Sequence, residues 1–338
     1  MKKGSEGNAK PTVIDLFAGA GGLSQGFKEA GFDIIWANEF VGRFSETYKL
    51  NHPETTICCK DIRSVSVEEI LNAIGNKSVD VIAGGPPCQG FSMAGRRDTK
   101  DPRNSLFMEF VRMVDGFKPK FFVMENVLGI LTMKNAKGKL VSEIILEEFK
   151  KIGYAVKVLR LFAADYGVPQ KRRRVVFIGS KNGIFPEPPK QTNSKIQQSK
   201  SEGKSLDKWI PVSTIILPKG KVGKCFFHSE KMIRGFNERK KRNEESGKGF
   251  GAQYLKLDEP SYTISARYWK DGADALVKYS DNEIRMLTPQ ECAAIQTFPS
   301  DYKFAGSKRE IYTQIGNAVP VKLAKSVAES LIKELEKN

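Results

Sequence analysis

The sequence is short of the residues that build metal and disulfide frameworks. Its 338 residues include five cysteines and two histidines. The cysteines, Cys58, Cys59, Cys88, Cys225 and Cys292, are odd in number and never spaced as CxxC. A structural zinc site or a disulfide scaffold is therefore not expected, and free thiols in a reducing compartment are. There is no run of about 18 apolar residues, so a membrane span is not expected either. Two lysines follow Met1 with no apolar stretch behind them, which is not a secretory pattern. The expected compartment is the cytoplasm. No internal repeat occurs, and acidic residues are scarce, 39 against 55 basic ones, for a net charge of +16.

Hydrophobic residues at 40% and charged residues at 28% fit a globular chain with one large or two ordinary domains. The positive charge is concentrated: residues 181–248 hold about sixteen basic and seven acidic side chains, over half of the excess. Such a local surplus suits phosphates and predicts a nucleic-acid partner.

The patterning alternates. TVIDLF, DIIWANEF, TICCKDI, VDVIAGG and KFFVMENV read as strands, and the segments between and after them carry helical spacing. This predicts an α/β fold with a doubly wound, largely parallel sheet. AVKVLRLFAADYGVPQ and RRVVFIGS read as two further strands, compatible with an antiparallel edge that makes the sheet mixed. From about residue 182 prolines and lysines replace the periodicity, which marks a domain change. Helical patterning returns in PQECAAIQTF, and VPVKLAKSVAESLIKELEK reads as an amphipathic last helix.

Four groups of residues carry chemistry. DLFAGAGG at 15–22 is a glycine-rich strand-to-helix turn that allows close approach of a ligand. It lacks the strict GxGxxG spacing of dinucleotide folds. Glu39 ends the second strand, where an acid can bind ribose hydroxyls, and Asp61 ends the third, where it could accept from an exocyclic amine. Together they suggest an adenosine ligand. GGPPCQGFS at 84–92 places Cys88 in a Pro-stiffened loop at a strand end, a setting for an exposed nucleophile. ENV at 125–127 brings Glu125 to the same crevice edge as an acid. In QKRRR at 170–174, Arg172 and Arg174 would share a face if extended, and one could reach Glu125.

These segments, in this order, resemble the DNA (cytosine-5)-methyltransferase family, together with RMLTPQECAAIQTFP and QIGNAVP, from about Val13 to about Leu335. The length resembles the bacterial restriction–modification type. The resemblance implies an S-adenosylmethionine-dependent, Rossmann-like catalytic domain of residues 11–186 plus 300–338, closed by the last helix. It also implies a smaller, irregular target-recognition domain of residues 187–299.

By the same resemblance, the Cys88 thiolate adds to carbon 6 of a cytosine. Glu125 binds ring nitrogen 3, Arg172 contacts the ring carbonyl and orients the acid, and Arg174 supports it. The S-adenosylmethionine pocket would comprise Asp15, Phe17, Gly19, Gly21, Gly22, Leu23, Glu39, Phe40, Asp61, Ile62, Gly84, Pro86, Asn317 and Ala318, without a metal. The cytosine must leave the duplex to be reached. Gln89, Ser92, Arg96, Arg97 and Arg103, on a loop expected to close over double-stranded DNA, would contact it. Arg267 and Tyr268 would read base edges, although Tyr268 and Trp269 also suit the core of the small domain. A monomer is expected, with a restriction endonuclease as a separate partner.

Three competing readings are weaker. The Cys-Phe-Thr segment of tRNA-directed relatives is absent. A non-enzymatic DNA-binding relative should lack Cys88 or Glu125. A nicotinamide-dependent oxidoreductase needs the phosphate-binding glycine fingerprint that the turn lacks.

Overall fold

A computed structural model describes residues 9–87, 104–135, 137–196, 205–247 and 251–337. Cys88, Gln89, Ser92, Arg96, Arg97 and Arg103 lie outside the described residues.

Strand and helix alternate as the patterning predicts. The order is β1 (Thr12–Leu16), α1 (Gly22–Ala30), β2 (Asp33–Asn38), α2 (Gly42–Asn51), β3 (Thr56–Cys58), α3 (Val67–Ala73) and β4 (Val81–Gly84). Then come α4 (Asn104–Phe117), β5 (Phe121–Val127), α5 (Val141–Lys151), β6 (Ala155–Phe162) and β7 (Arg173–Ser180). These seven strands form one sheet in the order β3-β2-β1-β4-β5-β7-β6. The first five are parallel, while β7 is antiparallel to both β5 and β6. The sheet is therefore mixed, with the antiparallel pair at one edge.

The chain winds outward from β1 to β3, then returns to start β4 on the other side of β1. The carboxyl ends of β1 and β4 thus flank the point where strand order reverses, which in open α/β sheets is where ligands bind.

Both faces of the sheet are covered, so its strands read as continuous apolar runs. On one face, Phe110 and Val114 of α4 and Ile145 and Phe149 of α5 pack on Ile14, Ile82, Phe122 and Met124. The Phe122 and Phe149 rings stack with centroids 3.9 Å apart. On the other face, Phe27 of α1 and Leu323, Ala324, Val327 and Leu331 of α9 (Val321–Leu335) cover Val13, Val81, Val123 and Ile178. Helices α1 and α9 meet at Gly26, where a β-carbon would lie 2.5 Å from Ala324 Cβ and 2.7 Å from the Val321 carbonyl. The last helix therefore closes the layer begun by the first.

Residues 187–299 hold less regular structure: β8 (Asn193–Ser194) paired with β9 (Asp207–Lys208), α6 (Glu230–Ser246), a hairpin of β10 (Leu276–Ser280) and β11 (Glu283–Met286), and α7 (Pro289–Ile295). Helix α8 (Lys308–Asn317) follows. Val212, Ile264, Leu287 and Ile295 share a core with Tyr312, Ile315 and Ala318. The segment 260–266, which has a strand's composition, makes only an isolated bridge between Ser261 and Gln170. Ile264 within it is bonded by side chains on both sides: the Gln170 amide oxygen accepts from its N–H at 3.0 Å, and Arg172 donates to its carbonyl at 3.1 Å. No described helix is long and apolar enough to cross a membrane.

Candidate active site

Asp15, Phe17, Gly19, Gly21, Glu39, Phe40, Gly84, Pro86 and Glu125 lie at the carboxyl ends of β1, β2, β4 and β5. The turn after β1 holds Phe17, Gly19 and Gly21 at φ of 59°, 57° and 87°. A non-glycine residue in that region is strained, so its surroundings must hold it there. They do so through backbone bonds: Ala18 N–H donates to the Asn38 carbonyl at 2.9 Å, and Gly19 N–H donates to Glu39 Oε2 at 2.9 Å. The other oxygen of Glu39 accepts from Val41 N–H at 2.7 Å. Burial raises the pKa of Glu39 against these two bonds. Phe40, next in sequence, is 67% exposed, an apolar ring at the rim of the switch point.

Asp15 lies beneath this turn. It is 1% exposed, and its Oδ2 accepts from Ser24 Oγ at 2.6 Å, which in turn meets Tyr48 Oη at 2.7 Å. Burial pushes its carboxyl up to about 7. Asp15 thus supports the turn from inside. Leu23 and Ile62 likewise point into the two cores. Gly22 packs against the Val319 carbonyl and the Ala318 methyl. Asp61 caps a short helix and pairs with Arg63, whose guanidinium holds the carboxyl below its usual range. Asn317 is exposed beside the buried Ala318.

An adenosine-bearing methyl donor fits this end of the site. Glu39 retains lone pairs beyond its two backbone bonds, Phe40 offers a free ring face, and space is open at Gly19, where a β-carbon would meet nothing within 4 Å. A separate hollow of about 400 Å³, lined by Trp36, Ile57, Cys58, Cys59, Val65 and Ile70, contains none of these groups. Among the described residues, no cluster of three or more His, Cys, Asp or Glu could hold a metal ion.

The acid lies on the other side of the switch point. Gly84 at the end of β4 pairs with Met124, which brings Gly85 next to Glu125. A β-carbon on Gly85 would lie 3.3 Å from Glu125 Oε2. Asn126 Nδ2 donates to the Pro86 carbonyl at 3.0 Å, tying β5 to the Pro-Pro segment that leads into Cys88. Arg174 pairs with Glu125, Nε to Oε1 at 2.6 Å, with the two side chains 11% and 12% exposed. The contact is an ion pair without hydrogen-bond alignment.

Arg172 has a different place from the one expected for it. It is 1% exposed, and its guanidinium donates to the backbone carbonyls of Ile264 (3.1 Å), Gly316 (3.0 Å) and Ala318 (3.0 Å). Strand β7 begins at Arg173, so Arg172 lies just beyond its end, covered by 261–264 and the α8–α9 turn. Arg174, two residues further on, is the one that meets Glu125. Gln170 and Gln296, both fully buried, extend this cluster: Gln170 Nε2 donates to Gln296 Oε1 at 2.8 Å, and Gln296 Nε2 donates to the Ile315 and Ala318 carbonyls.

Tyr268, expected at the DNA, is instead a core residue, 1% exposed. Its hydroxyl donates to the Ala275 carbonyl and accepts from Leu287 N–H, which fixes the small hairpin. Arg267 beside it is exposed. The sequence reading also missed the buried Arg285–Glu291 pair at 2.8 Å, which joins β11 to α7 and carries the α7 capping box. Thr288 followed by Glu291 was its legible signal.

Two expected outcomes follow from this arrangement. Arg172→Met leaves the buried Ile264 and Gly316 carbonyls without this donor, while Ala318 keeps Gln296, and should lower unfolding stability in urea by at least about 2 kcal/mol. Arg174→Ala leaves Glu125, 12% exposed, without its ion-pair partner and should lower stability by about 1–3 kcal/mol. The second concerns pH. Burial holds His52 down to about 4, so its neutral form stabilises the fold above the unfolded pKa of about 6.5, and that contribution is lost as pH falls toward 4. Buried Asp15 acts oppositely: its raised pKa adds stability at low pH that fades as pH rises from about 4 to about 7. In urea unfolding, His52→Gln should therefore gain about 2 kcal/mol relative to wild type on going from pH 7 to pH 5. An unchanged difference between the two pH values would contradict the buried neutral ring.

With this geometry in place, comparison with known proteins is direct. The family model for the C-5 cytosine-specific DNA methylase matches residues 11–333. The Type II methyltransferase M1.HphI of Haemophilus parahaemolyticus is 38% identical, over 95% of this chain and 87% of its own length. The Type II methyltransferase M.DdeI of Desulfomicrobium norvegicum is 37% identical, over 94% and 88%. The crystal structure of S. pombe Dnmt2 methyltransferase superposes with a TM-score of 0.74 over 96% of this chain and 99% of that one; at 19% identity, this likeness is one of fold. A match across nearly the whole chain, with the acid and its arginine set beside the Pro-Pro segment, places this protein in the C-5 cytosine-specific DNA methylase family.

Proposed function

We propose that the chain transfers a methyl group from S-adenosylmethionine to carbon 5 of a cytosine flipped out of double-stranded DNA. In this reading it is the protective methylase of a restriction–modification system, the role that the Type II names of its relatives suggest. The observation that carries the proposal is the Glu125–Arg174 pair beside Gly85 and Pro86, at the start of the loop that runs into Cys88.

Carbon 5 of cytosine is a poor nucleophile, and the chain's residues are arranged to change that. The Cys88 thiolate adds to carbon 6, and the displaced ring electrons build up toward carbon 5. Glu125, as an acid, hydrogen-bonds ring nitrogen 3 and stabilises the charge that develops there. Arg174 holds Glu125 in place and takes the ring carbonyl, the contact first assigned to Arg172. Glu39, Phe40, Gly19, Asp61 and Asn317 hold the methyl donor at the switch point. S-adenosylmethionine supplies an electrophilic methyl group on a cationic sulfur. A water-derived base removes the carbon-5 proton, and the carbon–sulfur bond to Cys88 breaks, returning the thiolate and the aromatic ring.

Flipping the base costs a few kcal/mol of stacking, which protein contacts must offset. We assign that task to the basic surface of the recognition region, with Arg267 exposed for contact. The proposed division is a catalytic body of 11–186 plus 300–338 and a recognition domain of 187–299, with DNA between them. The chain would act as a monomer in the cytoplasm, on the nucleoid, separately from a cognate endonuclease.

Duplex DNA carrying 5-fluorocytosine at the target should trap the enzyme as a stable adduct on denaturing gels, because fluorine cannot leave as the proton does. Cys88→Ser should form no adduct and no methylated product while still shifting duplex DNA. Appreciable methylation by this variant would defeat the covalent mechanism.

A further inference from the structure

The turn 17–22 is pinned from a distant part of the chain. Tyr302, 282 residues from Ala20, donates its hydroxyl hydrogen to the Ala20 carbonyl at 2.5 Å. His52 Nε2 lies 3.1 Å from the same hydroxyl oxygen. That hydroxyl has one proton, already given to Ala20, so the histidine must be the donor. This places the ring proton on Nε2 and leaves Nδ1 bare, and Nδ1 is indeed buried without a partner. The result is a one-way chain, His52 to Tyr302 to the Ala20 carbonyl.

The chain is held at both ends. Asn51 at the end of α2 bonds both backbone groups of Lys303, at 2.8 and 2.9 Å, and Thr47 Oγ1 accepts from Ala305 N–H at 2.8 Å. The Tyr302 ring packs on Phe298 and Phe304, with centroids 4.6 and 5.4 Å away. At Gly21, φ is +87° and a β-carbon would lie 2.7 Å from Tyr302 Oη and 2.8 Å from His52 Nε2, so the turn and the pair are fitted to each other.

We infer that Tyr302, oriented by His52, is a positioning residue that holds the strained 17–22 turn in the shape that receives the methyl donor. The inference rests on the proposed role of that turn as the cofactor site. Phe17 and Gly19 sit at positive φ, and the turn would relax if its outer pins were released. Without the Tyr302 hydroxyl, part of the binding energy of the donor would go into restoring that shape. Saturated enzyme would then work at the normal rate, since Tyr302 acts through the turn and not on the reacting atoms.

Tyr302→Phe keeps the ring packing and removes only the donor. Calorimetric titration with S-adenosylhomocysteine should show Kd rising about fivefold to tenfold, the worth of roughly one net hydrogen bond. KM for S-adenosylmethionine should rise in step, with kcat and KM for DNA within twofold of wild type. His52→Leu should behave like Tyr302→Phe. His52→Gln, whose amide can still donate, should stay near wild type, and this histidine pair decides the matter should Tyr302→Phe fail to fold. A Kd for Tyr302→Phe within twofold of wild type overturns the inference, as does a fall in kcat that accompanies the weaker binding. Failure of the wild-type protein to bind S-adenosylhomocysteine would instead overturn the cofactor reading of the turn.

Discussion

A buried guanidinium holds the two halves of this site in register. Removing a cation from water is costly unless its donors are met, and burial lowers the pKa of Arg172 accordingly. Its acceptors are three backbone carbonyls, two of them at the carboxyl end of α8, where the helix dipole is negative. Those carbonyls belong to segments far apart in sequence: 261–264, and the α8–α9 turn that includes Asn317. With Gln170 and Gln296 alongside, both segments are fixed to the start of β7. Two residues later the same strand presents Arg174 to Glu125. The start of the strand that carries Arg174 to Glu125, the α8–α9 turn and the 261–264 segment therefore share one buried anchor.

Around that anchor, the site divides its labour by strand. β1 and β2 supply the turn and Glu39, the end proposed to hold the adenosine. β4 and β5 supply the Pro-Pro segment and Glu125, the end proposed to meet the pyrimidine. The switch in strand order between β1 and β4 is what brings the two ends together. Beneath it, Asp15, Ser24 and Tyr48 form a buried polar cluster, and Tyr302 with His52 braces the turn from the side. The Gly19 N–H and the Ala20 carbonyl of the turn are thus each met by a side chain from a neighbouring element.

Much of this was legible in the sequence because it is local. Strand, glycine turn and helix follow one another within 11–30, and the acids at strand ends announce a crevice. ENV and QKRRR placed Glu125 and an arginine at one strand edge, where Arg174 meets the acid. What could not be read were choices made by tertiary packing. Arg172 and Arg174 share a face in an extended strand, and only the burial of the first under the α8–α9 turn tells which one meets Glu125. Tyr268 sits in a run of cations and aromatics that suits DNA, yet the hairpin of β10 and β11 needs its hydroxyl inside. The 260–266 segment has a strand's composition, but beyond the Ser261 bridge both backbone groups of Ile264 bond to side chains. Tyr302 and His52 are 250 residues apart, with no pattern to link them before folding.

The central claim is that a thiol and an acid act together on carbon 5 of cytosine. The most direct test is nucleoside analysis of duplex DNA after incubation with the protein and S-adenosylmethionine carrying an isotopically labelled methyl group. The account predicts that the label appears as 5-methylcytosine alone. Label in N4-methylcytosine or N6-methyladenine, or none in DNA, would contradict it.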